Sequence, residues 1–143
     1  MTRPVEGHRP LFVYGTLMFP EVLAILLGRV PRMERAAVAG WRAAGLRDRL
    51  YPGLVPDPAS QTSGQVLLGL DTAQTGVLDA FEGVAYEVGP LVLTDGRAVF
   101  AYLWKDLAEV TAQVWDPQAF SERHLDDYAR RCAIWHARFT ERS

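Results

Sequence analysis

Cysteine is nearly absent from this chain: Cys132 stands alone in 143 residues. A lone cysteine forms no intramolecular disulfide, and it excludes zinc sites built on paired cysteines. Long apolar runs are missing too, since none approaches the roughly 20 residues that a membrane-crossing helix needs. Charge of one sign is not in excess. With 15 basic and 17 acidic residues and a formal net charge of -2, the chain carries no electrostatic footprint for nucleic acid or an anionic membrane. There is no Gly-x-Ser-x-Gly elbow, and Cys132 lies in a helical pattern without a base beside it, which disfavours serine and cysteine acyl-enzyme chemistry. A secretion signal is imitated by Arg3, Arg9 and the cleavage-like Ala37-Val38-Ala39-Gly40. Glu21, Arg29, Arg32, Glu34 and Arg35 intervene, however, and a signal peptide does not tolerate them. These absences point to a reducing, cytoplasmic setting and to small-molecule or protein partners.

What is present suits one hydrophobic core. The chain is 49% apolar and 22% charged, and a chain of this length buries roughly two thirds of its extended surface. The expectation is a single domain over residues 1–143, with residues 1–9 as a loose leader.

Leu11 to Tyr14 reads as a strand that runs into a glycine turn. Pro20 and Glu21 then open a short helix, because proline lacks an N–H that this position does not need and the carboxylate faces the positive end of the helix dipole; Gly28 ends it. Residues 33–44 suggest a second strand, with helix left open. Tyr51 to Pro58 holds three prolines and reads as an edge or a loop. Gly64 to Leu70 reads as a strand, and Thr72 as the cap of a short helix through Phe81. Glu87 to Thr94 and Ala98 to Trp104 read as two strands joined at Asp95-Gly96. Asp116-Pro117 opens what reads as one amphipathic helix of about six turns, with Phe120, His124, Tyr128, Trp135 and Phe139 on its apolar stripe. His124 is expected as an interior or interface histidine. Short strands with few helices long enough for crossovers imply an α+β fold, a twisted or partly closed sheet with helices outside.

Two stretches could carry chemistry. In Tyr14-Gly15-Thr16-Leu17, successive N–H groups can converge on an anion such as a carboxylate, with glycine permitting close approach. The plain alternative is a turn that needs glycine. It is not a phosphate loop, because the lysine and second glycine of that pattern are missing. In Leu78-Asp79-Ala80-Phe81-Glu82-Gly83, Glu82 follows a bulky apolar residue at a helix end, where burial would raise its pKa into the range useful for proton transfer. Its alternative is an exposed glutamate before a helix-stopping glycine. Arg47, Asp48 and Arg49 form a charge cluster that reads as a solvated turn or as a guide for an acidic substrate.

Taken in order, these motifs resemble the gamma-glutamylcyclotransferase-like superfamily, in its avirulence-induced-gene-like branch. The likeness rests on Val13 to Leu17, Tyr51-Pro52-Gly53-Leu54-Val55-Pro56, Gly64-Gln65-Val66, Leu78 to Gly83 with Tyr86, and the Trp115-Asp116 helix containing Phe120 and Tyr128. It implies a compact mixed β-barrel-like sheet with flanking helices and a long C-terminal helix. It also implies that Tyr14, Gly15, Thr16 and Leu17 line a substrate pocket and that Glu82 is the acid-base residue, with no metal or organic cofactor. The implied reaction is cyclisation of a gamma-glutamyl amide to 5-oxoproline with release of an amine or amino acid. Val88-Gly89 departs from relatives, which often carry arginine there. That departure keeps open a binding or regulatory module with the same pocket and little turnover. Oligomeric state is not assigned.

Overall fold

The computed structural model describes residues 10–142; the expected leader over residues 1–9 lies outside them. In chain order come β1 (Leu11–Val13), a 3-10 turn (Thr16–Met18), α1 (Pro20–Leu27), β2 (Arg32–Leu46), β3 (Gly53–Leu68) and α2 (Thr72–Glu82). They are followed by β4 (Tyr86–Val92), β5 (Ala98–Trp104), β6 (Val110–Val114), α3 (Pro117–Arg123) and α4 (Leu125–Glu141). The strands form a curled, half-barrel sheet in the order β4-β5-β1-β3-β2-β6. β1 is the short wedge in this sheet: it runs parallel to β5 and antiparallel to β3. Beyond its end, β3 and β5 pair directly through Leu54 and Leu103.

That wedge is buried on both faces, and strand alternation divides its residues between two apolar clusters. Leu11 and Val13 join Leu17, Val22, Leu23, Leu26, Leu78 and Phe120 under the helices. Phe12 and Tyr14 join Val38, Leu54, Val66 and Val99 inside the curl. The residue after β1 is thereby pinned at the seam between sheet and helices.

Several expectations need correction. Residues 53–68 form one interior strand, not an edge or loop followed by a separate strand. Its prolines are accommodated because the β2–β3 register steps after the Trp41–Pro56 pair, leaving residues 57–60 opposite Gly40. Pro58 therefore sits where no ladder bond is lost. The buried Thr62 hydroxyl stitches the step, donating to the Trp41 carbonyl at 2.8 Å and accepting from the Ala43 N–H at 3.2 Å. Asp71, not Thr72, caps α2: its carboxylate accepts from the Gln74 N–H while the Gln74 side chain accepts from the Asp71 N–H, a capping box. β6 carries no signal that the sequence made legible.

The C-terminal stretch is two helices rather than one. α3 ends at His124, whose backbone (φ -130°) leaves the helical region, and α4 restarts with Asp126 and Asp127 in its first turn, where the dipole favours acids. The break lets Phe120 and Leu125 both reach the core while turning His124 out to solvent, so His124 is not an interior histidine. On α4, Leu125, Tyr128, Cys132, Trp135 and Phe139 keep the apolar stripe, and Cys132 is its buried centre.

Candidate functional site

The end of β1, the 3-10 turn, the β2–β3 connection and the C-terminus of α2 meet at one small inner cavity. It is lined by Val13 to Leu17, Tyr51, Pro52, Glu82, Tyr86 and Tyr102. All four residues of the glycine turn and the distant Glu82 therefore face the same space. It is narrow, with about 10 Å³ free, room for little more than a single water. Glu82 also lines an adjoining outer cavity of about 230 Å³ with Phe81, Tyr128, Arg131, Cys132 and Trp135. Tyr51 and Tyr86 border both. Glu82 thus stands at the neck between an inner and an outer chamber.

Local sequence explains each placement. Gly15 lies so close to the Pro52 ring that a Cβ would sit 2.8 Å from its Cγ, a contact only glycine avoids. The following 3-10 turn closes with the Met18 N–H donating to the Gly15 carbonyl at 3.0 Å. Among the described residues, the N–H groups of Gly15, Thr16 and Leu17 find no acceptor in the protein, as the first turn of a helix leaves its donors free. Glu82 is the last residue of α2, halted by Gly83 at φ 76°.

Burial pushes the Glu82 carboxyl from 4.5 up to about 8. No hydrogen bond or ion pair reaches it among the described residues, so only the solvent contact that the half-buried side chain keeps offsets the lost hydration. The negative end of α2 works in the same direction. Burial holds the neighbouring phenols of Tyr14, Tyr86, Tyr102 and Tyr128 above their ordinary range, and the Glu82 charge adds to it, second only to burial for Tyr14 and Tyr86 and a smaller influence on Tyr128. For Tyr102 the Asp79 carboxylate contributes more, accepting its hydroxyl proton at 2.6 Å. Burial, then Glu82, pushes the Cys132 thiol up to about 12, which keeps it protonated and unreactive.

The tyrosines are what sequence reasoning missed as a group. The chain has five tyrosines, and all five border the two chambers. They are held in place by hydroxyl bonds to fixed partners. Tyr14 donates to the Tyr102 carbonyl at 2.5 Å and accepts from the Leu54 N–H at 3.3 Å; Tyr86 donates to the Pro52 carbonyl at 2.7 Å. Tyr14 therefore lines the cavity while its hydroxyl is committed to β5 and β3. Tyr14→Phe leaves that carbonyl and N–H without their buried partner, and it is expected to cost about 1–3 kcal/mol in urea-induced unfolding.

Arg49, from the charge cluster, lines neither chamber but braces Tyr51 from behind. It pairs with Glu109 at 2.8 Å, donates to the Tyr51 hydroxyl at 2.7 Å and lies over the Trp104 ring at 5.4 Å. Asp48 turns the chain at φ 61°. The one signal that could have found the ring is strand alternation, which puts Tyr102 on the same face of β5 as Phe100 and Trp104. Val88 and Gly89 line neither chamber.

Residues 11–128 match the family described as gamma-glutamyl cyclotransferase, AIG2-like. The chain belongs to that family. Within the gamma-glutamyl cyclotransferase, AIG2-like family it is similar to AIG2-like protein C of Arabidopsis thaliana, 34% identical over 124 residues covering 82% of this chain and 72% of the relative. It is also similar to AIG2-like protein D of the same plant, 30% identical over 138 residues covering 91% of this chain and 90% of the relative. A solution structure from Arabidopsis thaliana superposes with a TM-score of 0.67 at 27% identity, covering 90% of each chain. A solved gamma-glutamyl cyclotransferase superposes with a TM-score of 0.58 at 14% identity, covering 87% of this chain and 85% of that one, a likeness of fold. The curled α+β sheet with its C-terminal helix is thus the architecture of this family.

Proposed function

We propose that the protein is a cofactor-independent gamma-glutamylcyclotransferase in which Glu82 carries the proton and the Gly15-Thr16-Leu17 amides bind an oxygen of the substrate. The observation that carries this reading is the carboxyl of Glu82, raised to about 8 by burial, in the same cavity as three free backbone donors. A gamma-glutamyl amide supplies its own nucleophile. Its α-nitrogen attacks the gamma-carbonyl, the new C–N bond closes the lactam of 5-oxoproline, and the bond to the departing nitrogen breaks. The α-ammonium loses two protons on its way to the lactam N–H: the first goes to Glu82 before attack and is passed to the leaving nitrogen, and the second leaves the ring nitrogen after attack and follows through the same carboxyl, so the amine departs as an ammonium and atoms and charge balance without water.

The pKa match supports this assignment. An α-amine titrates near about 8 at a peptide N-terminus and higher beside the free α-carboxylate of a gamma-glutamyl compound, so a glutamate near about 4.3 serves it poorly, with a gap of roughly 5 kcal/mol or more in proton transfer. At about 8 the Glu82 carboxyl closes most of that gap. Holding nitrogen and carbonyl together accounts for much of the remaining barrier, since well-oriented intramolecular reactions gain about 7–11 kcal/mol. The free amides would either hold the substrate α-carboxylate or stabilise the oxygen of the tetrahedral intermediate.

A glutamyl chain exceeds the space in the inner chamber, so its admission moves the walls. The Thr16–Tyr128 hydroxyl contact at 3.3 Å joins the 3-10 turn to α4. At that length it is weak, and this is where the walls part at least cost.

The test is release of 5-oxoproline from a panel of gamma-glutamyl amides and dipeptides. The reactive state holds one proton between amine and carboxyl, so kcat/KM is expected to peak between the carboxyl pKa of about 8 and the higher one of the amine. It should fall about tenfold per unit on either side, below because both groups are protonated and above because neither is. A flat profile, or no 5-oxoproline from any member of the panel, overturns the reading. In the second case a binding module with the same pocket is what remains, the alternative favoured by the apolar Val88-Gly89 on β4.

A further inference from the structure

The outer chamber is a built space that the cyclisation chemistry does not itself use. Phe81, Tyr128 and Trp135 wall it, half-buried, with the Phe81 ring edge-on to Trp135 at 5.1 Å and to Tyr128 at 6.4 Å. Cys132 forms its floor and Tyr51 its rim. It is lined by one cation, Arg131. The Arg131 Nε pairs with Asp127 at 3.2 Å, but Asp127 also faces Arg130 at 3.7 Å, so one carboxylate serves two guanidinium groups. Among the described residues Asp127 is the one carboxylate paired with Arg131, and no hydrogen bond fixes its terminal nitrogens.

We propose that this chamber is a leaving-group subsite for an aromatic or bulky apolar α-amino acid, whose carboxylate is held by Arg131. The inference rests on the gamma-glutamyl reading above. With Glu82 at the neck, the reacting amide lies there, the glutamyl chain points inward and the departing amine outward. Flat apolar walls suit a ring or a large aliphatic side chain. A planar guanidinium that shares its one carboxylate partner with Arg130 suits a further carboxylate, which it can meet with two parallel bonds. Glu82 is largely protonated below about pH 8 and so does not neutralise the arginine. A leaving group with a second ammonium and no carboxylate, such as a diamine, meets the cation instead and is disfavoured.

The test is equilibrium binding to the full chain carrying Glu82→Gln, read by tryptophan fluorescence. Three probes are compared: gamma-glutamylphenylalanine, gamma-glutamylphenethylamide, which lacks the carboxylate, and gamma-glutamylalanine, which lacks the ring. The phenylalanine compound is expected to bind about tenfold more tightly than either of the others. Adding Arg131→Gln, a change on an exposed helix face, should bring the first two within about twofold while leaving the preference over the alanine compound. Arg131→Lys should restore part of the carboxylate preference. Equal binding of the first two compounds, or a preference that survives Arg131→Gln, overturns the proposal; so does failure of all three to bind. Should Glu82→Gln not fold, the same ratios are read as kcat/KM in the parent and in Arg131→Gln. Loss of the carboxylate contrast with 5-oxoproline still released sinks only the subsite. The contrast without 5-oxoproline sinks only the enzymatic reading.

Discussion

Glu82→Gln is expected to stop release of 5-oxoproline, by about a thousandfold or more, in a chain that remains folded. Glutamine keeps the shape at the neck of the two chambers but cannot accept and return a proton. The same substitution has a second readout, because the raised pKa is also a statement about stability. The carboxyl moves from 4.5 in the unfolded chain to about 8 in the fold. Below pH 4.5 both states hold the proton and the group costs nothing. Between 4.5 and about 8 the folded state binds more protons than the unfolded one, so stability falls as pH rises through this window. Over that span the loss is on the order of 3–5 kcal/mol, with the solvent contact that the half-buried side chain keeps favouring the lower figure. Glu82→Gln should flatten this part of the curve and leave the variant more stable than the parent above pH 8. Urea unfolding at pH 5 and pH 9 checks the stability, and the 5-oxoproline assay checks the chemistry. Turnover retained in a folded variant would remove Glu82 as proton carrier; a parent chain equally stable at both pH values would show that the carboxyl is not desolvated.

Gly64→Ala is expected to destabilise the fold by about 3 kcal/mol or more, and to abolish activity through the backbone. A Cβ at this position would overlap the Val13 carbonyl oxygen and reach the Phe12 ring edge at 2.9 Å. The ring could shift, but the carbonyl belongs to β1, paired with β3 at Val13–Gln65 and held on its other side by β5. Relief therefore requires β1 to move, and β1 leads directly into Tyr14 and Gly15. The loss should appear as a lower urea midpoint with an unchanged slope. A variant with parental stability would mean that β1 does not approach β3 this closely.

The two predictions differ in how far the sequence foresees them. The place of Glu82 at a helix end is legible from the apolar Phe81 before it and the helix-stopping Gly83 after it, while the acid-base role assigned to it comes from the family resemblance. The glycine turn after β1 is legible for the same reason, since strand alternation and the Pro20 helix start bracket it. Gly64 reads only as the start of a strand. Its necessity comes from β1, some fifty positions earlier, passing across its face. The first half of β3 reads as an edge or a loop because prolines argue against an interior strand. The register step opposite Gly40, which makes them harmless, depends on the pairing partner. The break at His124 is likewise invisible in a continuous apolar stripe, because it reflects where Phe120 and Leu125 find room in the core.

Local chemistry in the chain was sufficient to determine the α+β class, the glycine turn after the first strand, the acid at the end of the second helix and the absence of paired cysteines. Those features depend on neighbours within a turn or two, where sterics and hydrogen bonding act directly between adjacent residues. Only the tertiary structure decided that five tyrosines from separate elements would ring one carboxyl, that Arg131 and Trp135 would stand across the neck from the glycine turn, and that the carboxyl would lose its water. Desolvation is a property of enclosure, and enclosure exists only once distant segments have closed around the group.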